Sequence, residues 1–372
     1  MSFYDNHYYY INKALLSFIG IWPFQSRLES NIMLVITLFF SSSYSALQLW
    51  GLIAGIKNLS IIMENASPLL VKELLEQIEE TWKKTQVGPE NKILQKYADQ
   101  NRTLTIRYAA ALYTCCVFYA TMPLIMGGLY SLLPTNKTYT GKFLFRLEHV
   151  IDVDKYFTLL MIDGVFGILF IVPVCIAVDS LFILCAQHVC ALFERLRYNM
   201  KRIQGSDLVI VEPNIADDEA YRIIIGCIKS YKHALKFSEL LSSAYATHFL
   251  FLLGNVVIAG SFGAAELIMI DVQLDEIIRI ITCNTGLWLH TFYLSMMSQK
   301  IIDHSNGFHD VIYSCNWYKI SLRSKKLLRF TLLRASKPCE IKAGNMYVMS
   351  MENFSSILQV SMSYITMLTS LQ

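Results

Sequence analysis

The chain alternates long apolar runs with charged segments, and the runs set the expected elements. Thr103–Leu133, Tyr156–Ala186, Leu241–Ile270, Ile277–Met297 and Ala343–Leu371 each hold or approach the roughly 20 residues that a helix needs to cross a bilayer. A sixth run, Ile32–Ile56, is slightly more polar. Its serines, Ser41–Ser43, are tolerable because hydroxyls bond back to the helix backbone. Between the sixth run and Thr103 the pattern changes. Ile61–Val71 is broken by Glu64, Asn65 and Pro68, and Leu70, Leu74, Ile78 and Trp82 then recur at helical spacing, which predicts an amphipathic helix. The segment 58–75 is thus either a short crossing or the approach to that surface helix. The first 30 residues carry Asp5, Asn6, Lys13, Pro23 and Arg27 and lack the compact apolar stretch of a cleaved secretory signal, so the N-terminus is expected to be retained.

Composition agrees with a membrane protein. The 372 residues are 54% hydrophobic and only 16% charged, with a mean hydropathy of +0.40, against about 25% charged residues in soluble domains. The expected fold class is all-α, a polytopic membrane helical bundle. The expected division is a cytoplasmic segment at 1–31, a bundle with cytoplasmic helical extensions at 32–342, and a final helix at 343–372. Spans fall at about 32–56, 58–75 if it crosses, 103–133, 156–186, 241–270 and 277–297.

Charge then orients the bundle. Leu75–Arg102, Cys190–Leu240 and Lys300–Lys342 fall on one side and hold 5, 8 and 9 of the 32 basic residues, while Leu133–Lys155 and Asp271–Glu276 hold 4 and none. By the positive-inside rule the basic side is cytoplasmic, which puts the last helix's C-terminal end outside. That topology, with no Asp-Arg-Tyr triplet and no Asn-Pro-x-x-Tyr stretch, argues against a G-protein-coupled receptor. Seven crossings would put the N-terminus inside and six outside; the sequons at Asn58, Asn65 and Asn136 do not separate the two counts.

Enzyme chemistry is not legible. Gly260 and Gly263 sit inside an apolar run, where small residues serve close helix packing rather than a phosphate loop. The nine cysteines form no Cys-x-x-Cys pair, and their odd number predicts mainly reduced thiols. Neither a catalytic residue nor a metal or other cofactor is expected, and nothing points to nucleic acid. Ionisable groups at membrane depth carry more information, because each is costly unless partnered or wet. Asp179 is the deepest and is read as paired within the bundle, Glu266 as solvated near an outer end. Asp163, beside Gly164 and Gly167, is either pocket-lining or interfacial. Tyr119, Met122, Met126 and Tyr130 share the outer half of one predicted helix, and Tyr156, Leu160 and Phe166 that of the next. Such a stripe suits an apolar small-molecule pocket, and it equally suits ordinary helix packing. Ser324–Ala335, basic with Leu327, Leu328, Leu332 and Leu333 clustered, reads as a helix on the inner leaflet, an oligomer contact or a solvated face.

The C-terminal order of residues is more specific. Gln299, Asp303, Ser305, Tyr313, Trp317, Tyr318, Lys325, Lys326, Leu327, Arg334, Pro338, Ala343, Gly344, Ser350, Phe354, Ser363 and Tyr364 together resemble the signature of insect odorant receptors. Val178-Asp179 and Gln187–Phe193 are similar to the fourth helix of many of them, particularly hymenopteran ones. The resemblance covers about Val150 to Gln372. It implies a seven-helix receptor with an internal N-terminus, the ligand-tuning subunit of a ligand-gated cation channel. Such a subunit joins a shared odorant co-receptor in a heterotetramer, in the plasma membrane of sensory-neuron dendrites, and binds small volatile molecules. It also implies that the last helix lines the pore, with Met367 at the gate and Ser370 and Leu371 in the narrow outer segment, where an apolar ring blocks ions by dewetting. The short passage from Ser67 to Lys72 departs from the family pattern: roughly one helix's worth of sequence is absent there, so helix two of the family fold is expected to be truncated. Alternatives are a metabotropic seven-helix receptor, a transporter or membrane enzyme without a visible repeat, and a truncated, non-functional variant.

Overall fold

A computed structural model describes residues 3–37, 67–132, 153–203, 218–269, 274–344 and 346–370. The segment 38–66, which holds most of the first expected span and much of the 58–75 segment, lies outside the described residues, as do the asparagines of the three sequons. Helix α1 is Tyr10–Phe18, α2 covers 27–37, and α3 is Ser67–Lys84. Four long helices follow: α4 (Pro89–Leu132), α5 (Val153–Arg202), α6 (Glu219–Met269) and α7 (Leu274–Ser314). The chain closes with α8 (Leu322–Ala335), a minimal antiparallel hairpin of β1 (Lys342–Ala343) and β2 (Tyr347–Val348), and α9 (Met351–Ser370).

The four long helices contain 41 to 51 residues, which makes them roughly 60–77 Å long at about 1.5 Å per residue. A hydrocarbon layer is about 30 Å thick, so each helix continues well beyond its apolar run. The extensions carry the charges. Glu90 near the start of α4 reaches Arg195 and Asn199 near the end of α5, and Tyr97 of α4 meets His304 of α7. Contacts further along keep the same register: Tyr108 of α4 with Asp179 of α5, and His188 of α5 with Phe237 of α6. Helix α5 therefore runs antiparallel to α4 and α6 and parallel to α7, and it touches α1, α4, α6 and α7.

That central position explains the sequence of α5. From Asp179 to Phe193 every residue is buried, as expected of a helix that is apolar on all sides. Phe182 packs edge-on against Phe249 of α6, with ring centroids 4.9 Å apart. Helix α3 is amphipathic as its spacing predicts: Val71, Leu74, Leu75 and Ile78 are buried, Leu70 and Trp82 half-buried, and Glu76 and Lys83 lie on the opposite side. The N-terminal segment packs into this same end. Tyr4 donates to the Leu75 carbonyl, Trp82 Nε1 donates to the Tyr9 hydroxyl at 2.8 Å, and Asn12 Nδ2 donates to the Ser180 carbonyl at 2.9 Å.

Two expectations need adjustment. The last apolar run is not helical from Ala343: the chain first turns through the hairpin, because Gly344 takes φ +56° and breaks a right-handed helix there. The leucines of α8 also do not act as one cluster. Leu328 is buried and Leu327 and Leu332 are half-buried against the rest of the fold, leaving Leu322, Phe330 and Leu333 exposed.

Candidate functional site

Asp179 sits where four helices meet. Its side chain is inside an apolar helix and its residue is only 1% exposed, so its charge must be met by neighbours. Tyr108, fully buried on α4, donates its hydroxyl to Oδ2. His290 of α7 brings Nε2 to 2.8 Å from Oδ2, and His248 of α6 brings Nε2 to 3.5 Å from Oδ1. Tyr245, one turn before His248, donates to the Val178 carbonyl at 3.0 Å, and Tyr293, one turn after His290, packs its ring 5.3 Å from that of Tyr108. Spacings of three to four residues put Tyr245 with His248, and His290 with Tyr293, on one face of each helix. The reading of Asp179 as an intrabundle partner is borne out. Its partners, 69 and 111 residues further along, carry no local signal.

The second functional element is the path from α8 into α9, where several residues of the C-terminal signature receive physical roles. Pro338 follows the C-terminal cap of α8 by two residues, a position where proline stops a helix. The irregular backbone that follows is satisfied by side chains of the long helices. The Cys339 N–H donates to Ser305 Oγ at 3.0 Å, the Lys342 N–H to Ser242 Oγ at 3.2 Å, and the Met351 N–H to Gln299 Oε1 at 3.2 Å. The Gly344 N–H reaches the Ala246 carbonyl of α6 at 2.9 Å. Ser350 caps α9 by accepting from the Asn353 N–H at 3.1 Å, the arrangement that favours serine at an N-cap. Phe354 then locks the first turn, buried against Trp288 and Phe292 of α7 with centroids at 6.3 and 5.8 Å.

Beyond Phe354, α9 keeps Ile357, Leu358 and Ser361 half-buried and exposes Ser355, Ser356, Gln359, Met362, Ser363 and Thr366. Met367 is 53% exposed. Ser363 offers its carbonyl to Thr366 Oγ1 at 2.9 Å. Ser370 ends α9, and its side chain and that of Tyr364 lie outside the described set; Leu371 lies outside the described residues altogether. Tyr313 and Trp317 are exposed beside Tyr318. Among the residues expected to line a ligand pocket, Tyr119 is half-buried and Met122 buried on α4. Met126 on α4 and Tyr156, Leu160, Asp163 and Phe166 on α5 have described helical backbone, while their side chains, like that of Glu266, fall outside the described set.

Gly263 is a close-packing residue, since a Cβ there would stand 2.8 Å from Asn284 Nδ2 and 3.1 Å from Ile280 Cγ2 of α7; Gly260 has nothing within 4 Å. All nine cysteines are free thiols. Glu90 and Asp218, both outside the membrane segments, are held below the usual carboxylate range. At Glu90 burial pushes the carboxyl up, but hydrogen bonds from Arg195 and Asn199 and the nearby guanidinium outweigh it. At Asp218, ahead of α6, burial is likewise outweighed, here by Ser321 Oγ at 2.6 Å, the Tyr221 N–H at 2.9 Å and Arg323 Nε at 3.0 Å.

Long apolar helices that outrun a bilayer, with their charges gathered at one end and a partnered carboxylate at depth, define a polytopic helical membrane protein. A sequence profile of the 7tm odorant receptor family matches residues 35–362, and the chain belongs to that family. It is 24% identical over 283 residues to odorant receptor Or2 of Anopheles gambiae, covering 74% of this chain and 70% of that one. It is 23% identical to odorant receptor 9a of Drosophila melanogaster, across 54% of this chain and 48% of the relative. Among solved structures, the olfactory receptor OR5 of Machilis hrabei in complex with eugenol superimposes with a TM-score of 0.65 at 12% identity, over 98% of this chain and 97% of that one. A second structure of the same receptor gives a TM-score of 0.66 at 13% identity, over 99% of this chain and 100% of that one. At such identity the likeness shows the fold alone.

Proposed function

We propose that this chain is the ligand-tuning subunit of an odorant-gated cation channel, assembled with a shared co-receptor in a heterotetramer of the plasma membrane. The observation that carries the reading is the outward face of α9. Ser355, Gln359, Met362, Ser363 and Thr366 follow one another at helical spacing and are exposed, although the helix lies in an apolar run. Polar side chains facing lipid are costly, whereas the same face suits a hydrated path shared with other subunits. Met367 supplies the apolar constriction, with Ser370 and Leu371 beyond it. The end that carries α3 and α8 faces the cytoplasm, in keeping with its basic residues, and exposed Tyr313, Trp317, Phe330 and Leu333 provide a surface for neighbouring subunits.

The volatile ligand sits between the outer halves of α4 and α5. The antiparallel register through Glu90–Arg195 and Tyr108–Asp179, carried one stretch further, sets Tyr119, Met122 and Met126 level with Leu160, Asp163 and Phe166, with Tyr156 beyond them. An apolar pocket of this kind discriminates by single contacts worth about 1–3 kcal/mol. The test is whole-cell current in cells expressing this chain with and without the co-receptor, against a panel of volatiles, with surface labelling. Odorant-evoked current only on co-expression supports the reading. Met367→Ala then raises current without ligand, and Met122→Ala shifts the half-maximal odorant concentration about 5- to 150-fold. Full surface expression without current under any ligand overturns it.

A further inference from the structure

The surroundings of Asp179 leave three atoms over. Tyr108 satisfies Oδ2 from α4. His290 Nε2 lies 2.8 Å from Oδ2 and His248 Nε2 3.5 Å from Oδ1, contacts that are ion pairs when the imidazoles are protonated. Oδ1 and both Nε2 atoms are buried without a hydrogen-bond partner. Asp179, His248 and His290, from three helices, each offer one ligand-type atom within 4.8 Å of the others, and this is the one such group of His, Cys, Asp or Glu side chains among the described residues. With both imidazoles neutral, a carboxylate oxygen and two imidazole nitrogens buried without hydrogen-bond partners are expensive, and a cation at their centre would satisfy all three together.

We propose that Asp179, His248 and His290 form a binding site for a divalent transition-metal ion of the zinc class. The donor chemistry selects that class. Two imidazoles and a carboxylate suit borderline ions, whereas calcium and magnesium take oxygen-only shells and copper(I) favours thiolates and thioethers. Geometry agrees. Tetrahedral zinc with bonds of about 2.0–2.1 Å separates its ligand atoms by roughly 3.3 Å, close to the 3.5 Å between His248 Nε2 and Asp179 Oδ1. The 2.8 Å approach of His290 to Oδ2 opens toward the ion by a modest rotation of its ring. Tyr108 acts from outside the shell: by engaging Oδ2 it turns Oδ1 toward the ion, the role that outer hydrogen bonds play at metal sites. The His248 side chain is 31% exposed, while that of Asp179 is at 1%. A bound ion would pin α5, α6 and α7 together at one point, with α4 attached through Tyr108.

This proposal stands apart from the receptor reading, because its test measures metal and not current. The full-length chain, purified in lipid nanodiscs and stripped with a chelator, is titrated with zinc chloride against a fluorescent zinc indicator, and retained metal is counted by mass spectrometry after gel filtration. One zinc per chain is expected. His290→Gln and Asp179→Asn each weaken binding by at least about 10-fold, and Tyr108→Phe by about 10- to 100-fold. Position 248, at the exposed edge, keeps the test decisive should the buried variants fail to fold: His248→Gln loses zinc, whereas His248→Cys, which restores a zinc ligand, retains it. Substoichiometric zinc in folded wild-type protein overturns the proposal. So does equal zinc binding by wild type and His248→Gln, which would mark surface-bound ions only.

Discussion

Gly344→Ala tests whether the turn into α9 is held by backbone conformation. Gly344 has φ +56°, a region that costs an L-residue roughly 1–2 kcal/mol. The added Cβ would also stand 2.9 Å from Leu250 Cδ2 and 3.2 Å from Cδ1. Leu250 is 45% exposed, so its side chain can swing aside for about 0.5–1.5 kcal/mol of rotamer strain. Together these predict a loss of about 1.5–3.5 kcal/mol, which at roughly 2 °C per kcal/mol for a chain of this size is a Tm fall of about 3–7 °C. The assay is thermal unfolding of the micelle-purified chain, followed by the monodisperse fraction on gel filtration. Two further variants separate the causes. Gly344→Asn, whose side chain tolerates the left-handed region, should lose less than Gly344→Ala relative to its size, and Leu250→Ala should relieve only the steric part of the Gly344→Ala loss. A Gly344→Ala chain that melts with wild type, or full rescue by Leu250→Ala, would refute the backbone argument.

The other predictions concern helix packing and pH. Gly263→Ala, which drives a Cβ to 2.8 Å from Asn284 Nδ2, should destabilise by about 1–3 kcal/mol in the same thermal assay, whereas Gly260→Ala, with nothing within 4 Å, should be neutral or gain up to about 1 kcal/mol of helix propensity. Equal melting of the two variants would contradict the packing assigned to this face. Glu90 and Asp218 have carboxyl pKa values lowered in the folded chain, so the stability they contribute is fully present above the unfolded carboxylate pKa, about 4, and is lost as pH falls below it. Hydrogen-exchange protection factors, corrected for the intrinsic pH dependence of amide exchange, at the start of α4 and of α6 should therefore be flat from about pH 7 to 5 and fall below about 4, and Glu90→Gln should remove the step in α4 while leaving that in α6.

Much of the architecture was legible because bilayer crossing imposes a one-dimensional rule: enough consecutive apolar residues to span the hydrocarbon, with basic residues gathered on one side. The long helices lie on the runs so identified, and the amphipathic α3 lies on Leu74 and Ile78. The order of C-terminal residues also carried the family. What local pattern cannot hold is the identity of partners distant in sequence. Asp179 was recognisable as a costly buried group, yet nothing near it in the chain points to Tyr108, His248 and His290, which meet it only because α4, α6 and α7 pack around α5 in a particular register. The same holds for Ser305, Ser242 and Gln299, ordinary polar residues of long helices until the α8–α9 connection lays its backbone N–H groups against them. The final run reads as helical from Ala343 because apolarity alone does not distinguish a helix from a buried hairpin, and Gly344 is a turn only where α6 offers Ala246 O as an acceptor. The sequence by itself determined that the chain lives in a membrane, where its long apolar helices fall and which family it joins, since those follow from transfer free energies and residue order. Tertiary structure decided which buried polar atoms are satisfied and which three are left facing one another, because that depends on where separate helices come to rest.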